Sequence, residues 1–275
     1  MLRLCFTTLA VILSFTSSAV AQQDIHISGS TSVAEVVELL AENFEKHNPD
    51  TFISVQGINS LSGITMLKKG VADIALSSHY LTQTEQESTL KVETMAIDGL
   101  VMIANIKNPV TNLSRRELFD IYRGNITNWK QLGGPNRPIA VITREPTSDS
   151  RNSFETLIGL IKVINEHQVS TITSNALVVN SSAMMKSLVH HNEQAIGYIS
   201  SGAVDHSINA MTIDHIASTP NNIAKRDYPL ARPFLLMHYP QQDSKQITAF
   251  LEYTHSADAK QILAQYGYQK MAEAK

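Results

Sequence analysis

Ile25-His26-Ile27-Ser28-Gly29-Ser30-Thr31-Ser32 carries three structural signals in succession. Ile25 and Ile27 flank a polar residue, as in a strand with one buried face. Gly29 punctuates the run, and Ser30, Thr31 and Ser32 are residues that open helices. Val33, Val36, Val37, Leu40 and Phe44 then recur at helical spacing, and Asn48-Pro49 closes the unit. A strand that passes through a hydroxyl-rich turn into a helix is the repeating unit of an α/β sheet.

The same unit returns along the chain. Phe52 to Gln56 reads as a strand, followed by Gly57-Ile58-Asn59-Ser60-Leu61-Ser62-Gly63 and a helix near 62–69 that stops at Gly70. Ala72 to Leu76 is a buried strand ending in Ser77-Ser78. Thr82-Gln83-Thr84-Glu85 and Ser114-Arg115-Arg116-Glu117 have capping-box spacing and predict two helices. Leu100 to Ala104 and Ile139 to Ile142 are apolar strands. The second leads into Arg144-Glu145-Pro146-Thr147-Ser148-Asp149-Ser150-Arg151 and a helix from about Ser150. A helix over 182–190, a strand over 195–199, a strand over 230–239 bent or edged at Pro233, and helices over 244–253 and 257–265 complete the pattern. Strands alternating with helices make this an α/β protein.

Four strand ends therefore carry hydroxyl-rich loops, three of them opening helices. The first amides of a helix have no intrahelical acceptor and carry the positive end of the helix dipole, so they bind anions. Ser and Thr hydroxyls add neutral donors, and an arginine adds a bidentate charged one. One capped helix is ordinarily only structural. Several converging outside the carboxyl ends of strands, where open α/β sheets bind ligands, point to an oxyanion site.

Composition bounds the function classes. Arg3, the apolar run from Leu4 to about Phe15 and Ala19-Val20-Ala21 predict a secretory signal peptide, residues 1–21, cut after Ala21 and releasing the chain into the periplasm. The one cysteine, Cys5, lies inside it, so no disulfide or cysteine metal site is expected in the mature chain. Beyond Arg3 there are 21 basic and 25 acidic residues, a net charge of −4 with neutral histidines. That balance argues against nucleic-acid binding. No Gly-x-Ser-x-Gly elbow, Gly-x-Gly dinucleotide loop, P-loop or His-Glu zincin pair is present. The reading is a non-enzyme without cofactor or metal. His190-His191 is expected at a solvated helix end, and Trp129 is expected to pack.

The chain also resembles the phosphate-binding proteins of bacterial high-affinity phosphate ABC transporters, in their shorter form. The resemblance is carried by Gly29-Ser30-Thr31-Ser32, Val55-Gln56-Gly57 with Ser60, and Gly70-Val71-Ala72-Asp73-Ile74-Ala75 with Ser77-Ser78. It continues through Ile97-Asp98-Gly99, Ile126-Thr127-Asn128-Trp129, and Arg144-Glu145 with Ser148 and Ser150-Arg151. Ile196-Gly197-Tyr198 and Tyr228-Pro229-Leu230 with Arg232-Pro233 complete it. It implies a type II periplasmic-binding-protein fold of two α/β lobes around a hinged cleft. Residues 22–103 and 222–275 would form the first lobe and 104–221 the second. It implies inorganic phosphate as ligand, an ABC permease of the inner membrane as partner, and a monomer. A stand-alone anion sensor or adhesin, or a binder of sulfate or molybdate, is the alternative. The ligand residues implied are Ser30, Thr31, Ser32, Ser60, Ser78, Arg144, Ser148, Asp149 and Ser150, with Arg144 as the charged contact. Two positions depart from the family pattern. Ser78 stands where many relatives have an aspartate that accepts the proton of phosphate, and Asp149 stands where the family has glycine. Asp149 is the candidate to replace that missing acceptor.

Overall fold

The computed structural model describes residues 23–165 and 167–269; the expected signal peptide, 1–21, lies outside the described residues. The chain begins with β1 (Gln23–Gly29), α1 (Thr31–His47), β2 (Thr51–Gly57), α2 (Ser60–Lys68) and β3 (Ile74–Ser77). The long strand β4 (Lys91–Asn105) then leads away. Next come β5 (Asn112–Leu113), α3 (Arg115–Arg123), β6 (Ala140–Arg144), α4 (Asp149–Ile158), β7 (Ile161–Ile164), β8 (His167–Ser170) and β9 (Leu177–Val179). They are followed by α5 (Ser182–His191), β10 (Ala195–Ser200), β11 (Ile208–Ala210), β12 (Thr212–Ile213) and α6 (Pro220–Ala224). β13 (Ala231–His238) returns, and α7 (Lys245–Tyr253) and α8 (Ala257–Gln265) close the chain.

The strands lie in the order β2-β1-β3-β13-β4-β10-β6-β9, with β11 also on β4. β1 runs parallel to β2 and β3, and β6 runs parallel to β9 and β10. β13 and β4 pair antiparallel between these two groups. Two apolar cores flank them. One gathers Ile25, Ile27, Val33, Val37, Leu40 and Phe44 with Phe234 and Phe250. The other gathers Val101, Ile103, Tyr122, Trp129, Phe154 and Tyr198. β4 changes core between Ala96 and Ile97, and β13 reaches the first core at Phe234, while Leu230 still belongs to the second. This is the two-lobed arrangement of the type II periplasmic-binding fold. The expected lobe boundaries, 103/104 and 221/222, lie at or beside Ile103, Ala104 and Ile223, which belong to the second core.

Local rules account for most elements. The α1 face predicted from its spacing is buried. Ser114 and Glu117 form the capping box of α3, and Gly124, at φ 81°, ends that helix in the left-handed conformation. The expected helix after Thr82 is absent. Thr82 N–H and its hydroxyl do bond Glu85 at 2.8 Å, but the residues that follow offer no apolar face to pack and the chain only turns. Pro233 lies where β13 pairs with β4 alone, since β3 reaches only Leu235 to Met237, so its missing N–H interrupts no second ladder. Trp129 is fully buried and donates its indole N–H to the Gln194 carbonyl at 3.0 Å.

Candidate functional site

The amino ends of α1, α2 and α4 converge between the two cores. Close approach is set by two glycines. A Cβ on Gly63 would stand 2.5 Å from the Gly29 Cα, and Gly29 itself has φ 149°, a conformation that side chains resist. α2 is thereby seated against the end of β1. In the second lobe, Phe154 of α4 stacks on Tyr198 with ring centroids 4.3 Å apart. The Tyr198 hydroxyl bonds the Thr143 hydroxyl at 2.8 Å and accepts from the Arg144 amide at 3.3 Å. Burial pushes that phenol up to about 12, so it stays a neutral anchor.

At the junction the hydroxyls form one connected cluster. Ser30 is the N-cap residue of α1, yet its side chain makes no cap bond and instead donates to Ser78 at 2.9 Å. The Ser78 amide donates to the Ser60 hydroxyl at 3.3 Å. Ser32 of α1 meets Ser150 of α4 at 3.2 Å, and Ser153 of α4 donates to the Ser78 carbonyl at 3.2 Å. Ser30, Ser32, Ser60, Ser78, Ser148 and Ser150 are all buried. Thr31 is half-buried and opens α1. Ser148 caps α4 through the Arg151 amide.

The two buried arginines have different partners. Arg144 directs Nε and Nη2 at the two carboxylate oxygens of Glu145, each at 2.9 Å, and reaches the Ser182 hydroxyl and Asn180 carbonyl at 3.3 and 3.4 Å. Four of its five N–H groups thus face protein acceptors. The guanidinium inside the serine cluster is that of Arg232. Its Nη1 donates to Ser78 and Ser150, each at 3.3 Å, and its Nε to Asp98 at 2.9 Å. Arg232 and Asp98 are register partners across β13 and β4. Asp98 is fully buried and also accepts from Ser200 and from the Ser201 amide and hydroxyl at 2.8–3.0 Å. Arg232 Nη2 is buried with no hydrogen-bond partner among the described residues. A buried cationic donor left unpaired is costly, so Nη2 marks where an acceptor belongs.

Asp149, the first residue of α4, reaches across to the other lobe. The Ser60 amide, at the start of α2, donates to its two carboxylate oxygens at 3.1 and 2.9 Å. Burial pushes the Asp149 carboxyl above the ordinary aspartate range, against the lowering effect of the Ser60 contacts. A cleft of about 650 Å³ opens beside Asp149, Arg232, Ser148 and Ser153, with His79 and Tyr80 at its wall.

Of the nine expected site residues, Ser30, Ser32, Ser60, Ser78, Asp149 and Ser150 share hydrogen bonds here, Thr31 and Ser148 sit at the same helix termini, and Arg144 ends β6 ahead of α4. Arg232, Asp98 and Ser153 join the cluster without having been expected as ligand residues, although Asp98 and Arg232 stand in stretches that carry the resemblance. A signal for two of them was present. A lone aspartate in the apolar run 95–104 and a lone arginine in the apolar run 230–239 are each untenable in a core unless paired.

Two lobes, a cleft between them and helix termini that meet there define a two-lobed binding protein of the α/β class. A family model described as a PBP superfamily domain matches residues 16–258; the chain belongs to that superfamily. An ABC-type phosphate transport receptor from Vibrio cholerae is 49% identical, superimposes with a TM-score of 0.79, and is covered over 99% of its length by 90% of this chain. A putative phosphate ABC transporter substrate-binding protein with bound phosphate from Clostridium perfringens is 36% identical with a TM-score of 0.83, over 91% of this chain and 100% of that one. The phosphate-binding protein PstS of Borreliella burgdorferi is 27% identical over 89% of this chain and 88% of its own.

Proposed function

We propose that this chain is a PstS-like binding protein that captures inorganic phosphate in the interlobe cleft and delivers it to an ABC-type permease, without bond-making. The observation that carries the reading is Arg232 Nη2, a buried unpaired cationic donor among serine hydroxyls at the meeting of three helix termini. A phosphate there takes charge-assisted bonds from the guanidinium and neutral ones from Ser30, Ser32, Ser78 and Ser150. The Val33 and Arg151 amides are taken by the Ser30 carbonyl and the Ser148 hydroxyl, and the first-turn amides ahead of them in α1 and α4 add to the set. Thr31, Ser60 and Ser148 belong to the same termini. Arg144 contributes chiefly by fixing the β6–α4 turn and keeps one N–H for the ligand. The relatives named above support phosphate as the anion. Export to the periplasm and a monomeric state complete the reading. Among the described residues no helix is long and apolar enough to cross a membrane.

The test is calorimetric titration of residues 22–275, stripped of anion, with phosphate, sulfate and molybdate in turn. Tight uptake of phosphate with no heat from sulfate is the expected result. Uptake of sulfate or molybdate in its place would keep the fold and overturn the ligand.

A further inference from the structure

We infer that Asp149 is a tethered competitor for the anion site, holding through its carboxylate a helix-terminal donor that a captured oxyanion must otherwise take. The inference rests on the proposed phosphate site.

The geometry is that of a bound anion. Both carboxylate oxygens receive the Ser60 amide, at 3.1 and 2.9 Å, at the positive end of α2. Asp149 is 8% exposed, so these contacts are made in a desolvated setting. The carboxylate is not needed to cap its own helix, because Ser148 does that. It belongs to the opposite lobe and lies 89 residues from Ser60 in the chain, so the contact is a bond between lobes. The other charges around it are arranged in pairs. His79 in the loop after β3 faces Glu85, Arg232 of β13 faces Asp98 of β4, and Arg151 faces Glu155 on α4. None of these groups forms a salt bridge with Asp149, on which His79 acts only through space, and the α2 terminus is its hydrogen-bonded partner. An oxyanion reaching for Ser60 meets a negative group already there, and one of the two must give way.

Two readings of Asp149 then predict opposite results. As an acceptor for the proton of the ligand, it strengthens phosphate binding and weakens that of sulfate. As a competitor, it weakens both. The first measurement is amide hydrogen exchange of the anion-stripped protein. The Ser60 amide should be protected in the native chain and exchange fast in D149G. The Ser62 amide, held by Asn59 Oδ1 at 2.8 Å, should be unchanged and serves as the internal control. Equal Ser60 protection in both proteins would overturn the tether. The second is calorimetric titration of native, D149G and D149N proteins with phosphate and with sulfate. Both variants should bind both anions at least about tenfold tighter, the low end for freeing a hydrogen bond to a charged group. D149N keeps side-chain volume if D149G folds poorly. Unchanged or weaker phosphate binding in the variants would overturn the competition while leaving phosphate capture intact. Uptake of phosphate by none of the three proteins would sink the capture reading and the competition together, whereas the exchange result would still report whether the tether exists.

Discussion

Arg232 and Arg144 are both buried arginines, yet their neighbours give them different work. Arg144 gives four of its five N–H groups to a carboxylate and two neutral acceptors, while Arg232 Nη2 has no hydrogen-bond partner among the described residues. R232K keeps the charge for Asp98 but removes the planar fork. It should weaken phosphate binding about a hundredfold, in the range for losing a buried charged contact. R144K should cost less than about tenfold, and paired titrations of the two variants decide which arginine holds the ligand. Asp149 yields a second expectation at this scale. Its folded-state pKa is raised by burial, so the folded state binds the proton more tightly than the unfolded chain does. Above the raised value the charged carboxylate therefore lowers stability, and that penalty fades as pH falls toward the ordinary aspartate value of about 3.9. D149N should accordingly melt higher than the native protein at neutral pH, with the difference vanishing below about pH 4. Melting scans across pH would refute this if the gap were constant.

At the scale of elements, the seating of α2 against β1 depends on Gly63. G63A places a methyl carbon on the Gly29 backbone and should cost about 1–3 kcal/mol. It should also weaken phosphate binding, since the Ser60 amide moves with the helix. Denaturant midpoints and titration read the two effects separately. The helices and apolar strands were largely legible in the sequence, because capping residues and hydrophobic spacing are local signals. α1, α3 and α7 follow from them almost residue for residue. The short strands β7, β8, β9, β11 and β12 were not, because a strand of two to four residues is held by its partner and not by its own pattern. The helix expected after Thr82 shows the converse, a correct cap with nothing behind it to bury. The serine loops of the site were legible for the same local reason. The Arg232–Asp98 pair was not, since it joins positions 134 apart, and only the register of β13 on β4 brings them together.

Across the whole molecule, the cluster ties the lobes directly through Ser32 with Ser150, Ser60 with Asp149 and Ser153 with Ser78. Only β4 and β13 pair across the junction among the named strands of the sheet path. Opening must therefore flex those two strands while it separates the helix termini, which is hinge motion about a sheet. Phosphate should shift the balance toward the compact form, with a lower radius of gyration in solution scattering at saturating ligand. An unchanged radius would argue against a hinged capture mechanism.

The strand order β3-β13-β4 bears on how such a chain is made. Its first half cannot join β3 to β4 until residues beyond 230 exist, because β13 is the strand that lies between them. During synthesis, the middle of the chain can settle early, while the opening segment waits for the end to arrive. A chain cut before Ala231 should fold its middle and leave its opening segment exposed to protease. The polypeptide is thus one whose own topology delays its compaction until the last strand is delivered.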